Sequence, residues 1–430
     1  MVYLLTSQDT ARLRYVTDVI FGLWLDIPLS IVTESSQIPE GAQFITYGGS
    51  DANGLSIYAE GLLAESVIRE DLPVIADTES VPQVFISDTP ESFDVPFDIF
   101  SGVFYCLSRY EEFQIKKRDK HHRYSASDSP FQNWIDIPYV DRWIRHLEVE
   151  LNSRGVSTNI DRSLKWRNTM DVDIAFAYLG RGLTRNTGSI FRDIKNVDLY
   201  RLKERASVWS GGKEDPFDTY STFFSVLADE NLIFIPAGQK SQFDKNLDPV
   251  NAQMQELITS LSDKTIIGLH PSYESLKNQG MILEEKKRLE SVTNSSIDRS
   301  RQHFLRMILP DTYRYLLDLG INSEYSMGYH DRIGFRAGTA FSFPYYDLEK
   351  EEKTDLMIYP LIAMDSAMKN YMKLTPSEAV ESIRKLVDSM KNSGGWLTTV
   401  WHNHSLSEDE EWKGWKAVYL SIESTVRHAG

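Results

Sequence analysis

The chain reads as an α/β protein: a smaller α/β domain over residues 1–158, then a distorted barrel of about seven β/α units over 159–430. Three observations predict this. Short apolar, β-branched runs alternate with amphipathic stretches through the second part. Hydrophobic residues make up 41% of the chain and aromatic residues 12%, ample material for a core. A polar gap with a helix-stopping Gly155 separates two rhythms at 152–164.

In the first part, "VYLLT" reads as a strand and residues 8–25 as a helix. "PLSIVT", "QFITYGG" and "PQVFIS" read as further strands. "DIFSGVFYCLSRYEEF" has helical periodicity with Asp98 as N-cap, and "PYVDRWIRHLEVEL" is an amphipathic helix opened by Pro138. In the second part the strands are "WRNTMD", "LIFIPAG", "TIIGLH", "SRQHFL", "EYSMG", "LMIYPLI" and "WLTTVWH". Helical stretches such as "ILEEKKRLESV", "DTYRYLLDLG" and "PSEAVESIRKLVDSMKN" lie between most of them, with a shorter candidate at "DTYSTFFSVLADE". Residues 182–216 are the least regular and read as a lid or an insertion.

The formal net charge is −16, which excludes sequence-independent nucleic-acid binding as a main role. The one cysteine, Cys106, lies in an apolar run and reads as a core residue, so no disulfide framework forms within the chain. The N-terminus lacks a basic segment and a cleavage site, and the apolar run after it is interrupted by Asp18 and Asp26. The expectation is a cytoplasmic protein that engages no membrane.

Chemistry in α/β barrels gathers at the carboxyl ends of strands. Here those ends carry Asp171 and Asp173, His270, Arg301 and His303, and His402 and His404. Residues two apart in a strand share a side, so Asp171 and Asp173 need either solvent or a cation. They fit a capped turn before "IAFAYL" or a metal site in which one acid is a ligand and the other a base. His121, His122, His146 and His428 read as surface residues and His330 as a loop residue. "GFRAGT" sets Arg336 between glycines, as a tight turn or a close approach to a ligand, and "SMGYHD" reads as a turn that lines a cleft. No Gly-x-Ser-x-Gly, Walker loop or Gly-x-Gly-x-x-Gly is present.

"TMDVD", "GLHPSYES", "SRQHFLR", "PDTYRYLLDLGI", "GFRAGT" and "WHNHS" together resemble the polysaccharide deacetylases of carbohydrate esterase family four. "FSGVFYCLSRYEEF" and "IPYVDRW" resemble the N-terminal domain of unknown function found in a bacterial subgroup of that family. The resemblance implies a distorted (β/α)7 barrel and a divalent metal, with zinc the expected ion. It implies hydrolysis of acetyl groups on a carbohydrate, N-acetylated in the first instance. It assigns Asp171 as base, with Asp173, His270 and His303 as metal ligands and His402 as the acid. The family's usual first motif is Thr-Phe-Asp-Asp, so Val172 is inserted here. The usual second histidine of the His-x-x-x-His pair is replaced by Glu274, which leaves His303 or Glu274 to complete the metal site, with His303 preferred. Arg336, ranked ahead of Arg301, orients the base. Trp401, Tyr329 and Tyr345 are candidate sugar-stacking residues. Two rivals remain open: a metal-dependent C–N hydrolase of small amides, and a catalytically silent carbohydrate-binding protein.

Overall fold

A computed structural model describes residues 1–49, 53–78, 81–180 and 199–429. Strands β1 (Val2–Thr6), β2 (Leu29–Val32), β3 (Phe44–Tyr47) and β4 (Leu55–Ile57) form a parallel sheet in the order β2-β1-β3-β4. Along β1 the burial alternates, with Val2, Leu4 and Thr6 inside, as a sheet packed on one face requires. The helix Ala11–Thr17 starts at Thr10, whose side chain accepts from the Leu13 N–H, and continues as a π-helix over Asp18–Trp24. A hairpin of β5 (Ile75–Thr78) and β6 (Val81–Val84) follows.

Asp98 caps the next helix, accepting from the Ser101 N–H, but "DIFSGVFYCLSRYEEF" is two helices rather than one. Ile99–Leu107 and Tyr110–Gln114 are separated at Arg109, which sits at φ +56°. The kink turns the buried Arg109 guanidinium onto Glu111 and Glu112. The helix Tyr139–Ser153 stops where expected, with Gly155 at φ +81°. Cys106 is buried among apolar neighbours.

The second sheet holds β7 (Leu164–Asp171), β8 (Glu230–Ile235), β9 (Ile266–Leu269), β10 (Arg299–Ser300) and β11 (Ser323–Glu324). It also holds β12 (Phe343–Asp347), β13 (Glu352–Ile358), β14 (Ala363–Met364) and β15 (Gly395–His402). Their order is β12-β13-β11-β10-β9-β8-β7-β15-β14, and every pair is parallel except β12 with β13. This is a mixed α/β architecture with parallel sheets. The expected closed barrel is not shown: among the described residues the edge strands β12 and β14 do not pair, and the ladder runs open. Two features go with the open edge. β10, β11 and β14 are two residues long, and one edge is taken by the antiparallel β12, "FPYYD", which the sequence pattern did not single out.

Other boundaries shift as well. "SRQHFL" leaves the sheet after Ser300 and tightens into a 3-10 turn over His303–Leu305. "LMIYPLI" is a strand only to Ile358, the end of β13; its Pro360-containing remainder is the link to β14. "DTYSTFFSVLADE" holds a single helical turn, Tyr220–Phe223. The suggested lid at 182–216 falls partly outside the described residues; from Leu199 to Trp209 it is helical. No helix among the described residues is long and apolar enough to cross a membrane.

One continuous hydrophobic core runs from Val2 to Val426. "GFRAGT" is where the two parts of the chain interlock. Arg336 makes a bidentate pair with Glu112 at 2.8 Å, and both side chains are 3% exposed. Asp141 accepts from the Ala340 N–H and the Thr339 hydroxyl. Gly338, at φ +70°, lies against Tyr139 so closely that a Cβ would fall 2.5 Å from its ring. Arg12 pairs with Glu351, and Trp24 Nε1 donates to the Ser342 carbonyl. Replacing Arg336 with Ala takes away the bidentate partner of Glu112 and leaves the buried Arg109 to balance both Glu111 and Glu112, which is expected to cost about 3 kcal/mol. Urea unfolding checks this: an unchanged midpoint would remove the interlock as a source of stability.

Candidate metal and catalytic centre

β7 supplies the frame. It pairs with β15 over eight positions, ending at Asp171 opposite His402, and Asp171 also lies opposite Phe234 of β8. Parallel partners in register emerge together, so Asp171 and His402 reach the same rim. The chain then bends out through Val172, whose N–H donates to the Phe234 carbonyl. Asn246 holds the bend, donating to the Val172 carbonyl and accepting from the Ala175 N–H. No helix follows at "IAFAYL". Instead the Asp215 carboxylate collects the N–H groups of Ala177, Tyr178 and Leu179. Asp173 therefore caps nothing and turns back over the rim. β9 delivers His270 just past its last residue, β10 delivers Arg301 and His303, and β14 delivers Asp365.

The three imidazoles are oriented from behind. His270 Nδ1 is 2.5 Å from the Arg301 carbonyl, His303 Nδ1 is 2.8 Å from Asp244 Oδ1, and His402 Nδ1 is 2.7 Å from Asp365 Oδ1. A carbonyl or carboxylate partner makes each Nδ1 the donor and leaves Nε2 to face inward. Nε2 of His270 and of His303 lie 3.3 Å and 3.6 Å from Asp173 Oδ1; Nε2 of His402 lies 3.6 Å from Asp173 Oδ2. Asp173 Oδ1 is buried and accepts no hydrogen bond. One ligand atom each from Asp173, His270 and His303 can be chosen so that all lie within 4.8 Å of one another. An orphaned carboxylate oxygen facing the Nε2 atoms of two imidazoles is the donor set of an open divalent-metal site, so these residues fit such an ion.

Asp171 sits beside this set. Arg301 Nη1 donates to its Oδ1 at 2.9 Å and to Thr169 Oγ1 at 2.7 Å, while Nε donates to the Tyr325 carbonyl. Burial opposes the charge on Asp173, but His303, His402 and the contact with His270 outweigh it and hold its carboxyl well below the usual range. Burial also opposes a charged His402, yet Asp365 and Asp173 raise it to about 10. His303 is raised to about 9, with Asp173 and Asp244 overcoming the burial penalty.

The structure thus brings together Asp171, Asp173, His270, His303 and His402 around a cavity of about 220 Å³, with the fully buried Arg301 behind Asp171. It does not bring Arg336 to Asp171, because that guanidinium is spent on Glu112 and the Gly328 carbonyl. Glu274 is exposed on its turn and does not line the cavity. Trp401, Tyr329 and Tyr345 are at most 2% exposed and pack in the core, out of reach of a sugar. The aromatic walls are Phe304, Tyr371 and Trp412, with Arg123 and His330 beside them. Tyr371 ends a π-helix, Ala367–Tyr371, whose N-cap is Ser366, the residue after Asp365. His121 is half-buried rather than fully exposed: its Nδ1 lies 2.9 Å from the Tyr273 hydroxyl, among Phe243 and Phe304. Asp244 and Asp365 went unread in the sequence. For Asp365 a signal was present, a lone acid ending the apolar run "LIAMD".

Residues 2–155 match a family model described as a family of unknown function, DUF7033. No curated protein matches the chain. Among solved structures it is similar to a Mycobacterium smegmatis protein provisionally described as a polysaccharide deacetylase. The identity is 15%, with 61% of this chain and 85% of that chain covered, and the TM-score is 0.38. At that score the likeness carries no argument about activity.

Elemental analysis after dialysis is expected to find about one divalent ion per wild-type chain. Asp173→Ala and His303→Ala should lose it and Glu274→Ala should keep it. Asp244→Asn should weaken binding roughly 10- to 100-fold by releasing the His303 ring. Retention in Asp173→Ala would exclude this donor set.

Proposed function

We propose that this protein is a metal-dependent hydrolase that removes acetyl groups from a carbohydrate, with an N-acetyl sugar as the substrate and zinc as the ion. The observation that carries the reading is the convergence on one rim of three different tools. These are an arginine-held carboxylate, Asp171; an Asp/His/His donor set; and an imidazole raised to about 10, His402. Amide hydrolysis needs a base for water, a stabiliser for the oxyanion and an acid for the leaving nitrogen.

Asp173, His270 and His303 would hold the ion, which when bound supplies Lewis acidity to the acetyl carbonyl and acidifies water in the site. Asp171 accepts the proton of the attacking water as its oxygen bonds to the carbonyl carbon. Arg301 keeps the Asp171 carboxylate aimed at that water through its 2.9 Å hydrogen bond. His402, in its protonated form, gives its Nε2 proton to the departing nitrogen as the C–N bond breaks. Asp365 fixes the ring through Nδ1 throughout. The products are acetate and a free amino sugar. Tyr371, 45% exposed, and Trp412 offer the cleft an apolar wall for a sugar ring.

Acetate release from a panel of N-acetylated oligosaccharides, O-acetylated sugars and small amides tests the reading. Turnover of an acetylated sugar in preference to the small amides is expected. Turnover of small amides alone would replace the substrate class. Asp171→Asn should lower kcat by roughly 10²–10⁴ while keeping the metal.

The pH profile tests the acid. His402 must be protonated to act, so the rate falls as pH rises through its pKa. Asp365→Asn removes an anion that raises that pKa, and the basic limb should move to lower pH by roughly one unit or more. An unmoved limb would take the acid role from His402.

A further inference from the structure

The order β2-β1-β3-β4 places a topological switch point between β1 and β3. The chain leaves β1 toward β2 on one side and leaves β3 toward β4 on the other. In open parallel sheets the carboxyl ends at such a point part to form a crevice. Two cavities lie there, of about 240 and 700 Å³, sharing Thr6, Ser7, Tyr47 and Gly48. Neither has a lining residue in common with the cleft at the end of β7. Gly48, at φ +82°, lets the backbone after β3 turn away and keeps the crevice open.

The lining has a distinct chemistry. Thr46 is 4% exposed, lines the larger cavity, and its hydroxyl has no hydrogen-bond partner. A buried hydroxyl left unpaired costs stability, so it calls for a partner that the protein does not supply. Around it stand the hydroxyls of Ser7, Thr33, Ser35 and Ser36 and the carboxylate of Glu34. No Lys, Arg or His lines either cavity among the described residues. A phosphate or other anion would meet a carboxylate and no cation. A neutral polyhydroxyl compound would meet hydroxyl donors and acceptors, with Glu34, which accepts from the Ser36 hydroxyl at 3.2 Å, offering its other oxygen and the Tyr47 ring an apolar face.

We propose that the crevice at the carboxyl ends of β1 and β3 binds a neutral saccharide through Thr46, Glu34 and the serine hydroxyls. The proposal rests on this lining alone and not on the reaction proposed above.

Calorimetric titration of the full chain with maltose, cellobiose and diacetylchitobiose tests it, with inorganic phosphate and AMP as anionic controls. At least one disaccharide should bind, and neither control should. Thr46→Val keeps the shape and removes the unpartnered hydroxyl. It should leave the melting temperature unchanged or raised and weaken the saccharide roughly tenfold. Glu34→Gln, on the exposed rim, should weaken it as well and decides the matter if Thr46→Val melts early. Asp173→Ala should leave this binding intact, which separates the crevice from the cleft. Absence of any disaccharide binding would overturn the proposal. So would preference for phosphate or AMP, or binding lost in Asp173→Ala but kept in both crevice variants.

Discussion

Asp173 is a half-buried carboxylate, its Oδ1 fully buried, ringed by three imidazoles, and the charge balance around it dictates how the rim of the second sheet is built. A buried anion is tolerated only when positive charge is held against it. Protons on His303 and His402 can supply that charge, and so can a cation between the rings. Either solution demands imidazoles whose inner nitrogens are aimed, and aiming requires a partner behind each one. Asp244, Asp365 and the Arg301 carbonyl are those partners. The carboxylates behind His303 and His402 are themselves buried anions, held low by the rings they orient. The site is thus an alternation of charge running outward from one oxygen.

The sheet makes this alternation affordable in geometric terms. Parallel strands stop at one rim, so residues from β7, β9, β10, β14 and β15 meet without long loops. The short strands β10 and β14 are part of the device. Each gives up the ladder early, and the chain turns its next polar residue into the rim: Arg301 after β10 and Asp365 after β14. A full-length strand there would have carried those side chains along the sheet instead.

Much of the rim was legible. A paired acid at the end of "WRNTMD" and histidines ending "TIIGLH" and "WLTTVWH" point to the carboxyl side of a parallel sheet, because strand ends are read from local patterns. Most of the strands and helices were read for the same reason. Partners were not legible. Arg336 looked functional because glycines flank it, yet its guanidinium answers Glu112, 224 positions away in sequence. Arg301, in an unremarkable setting, is the one that reaches Asp171. Trp401, Tyr329 and Tyr345 are aromatic beside the right motifs, but the alternation of the strands and turns sends them inward. Trp412 and Tyr371, on segments with no motif, form the wall. Closure of the sheet was also beyond local pattern, since a count of strands does not say whether the edges meet.

The seam around Arg336 and Gly338 has a consequence for heredity. Arg123, from the first part of the chain, lies in the wall of the cleft and donates to the Tyr371 hydroxyl at 2.9 Å. A gene fragment encoding residues 159–430 alone would yield a cleft with a missing side and a glycine-lined notch where Tyr139 belongs. Recombination at 152–164 would therefore hand on two incomplete pieces. Substitutions on one flank of the seam meet side chains of the other, Arg336 against Glu112 and Gly338 against Tyr139.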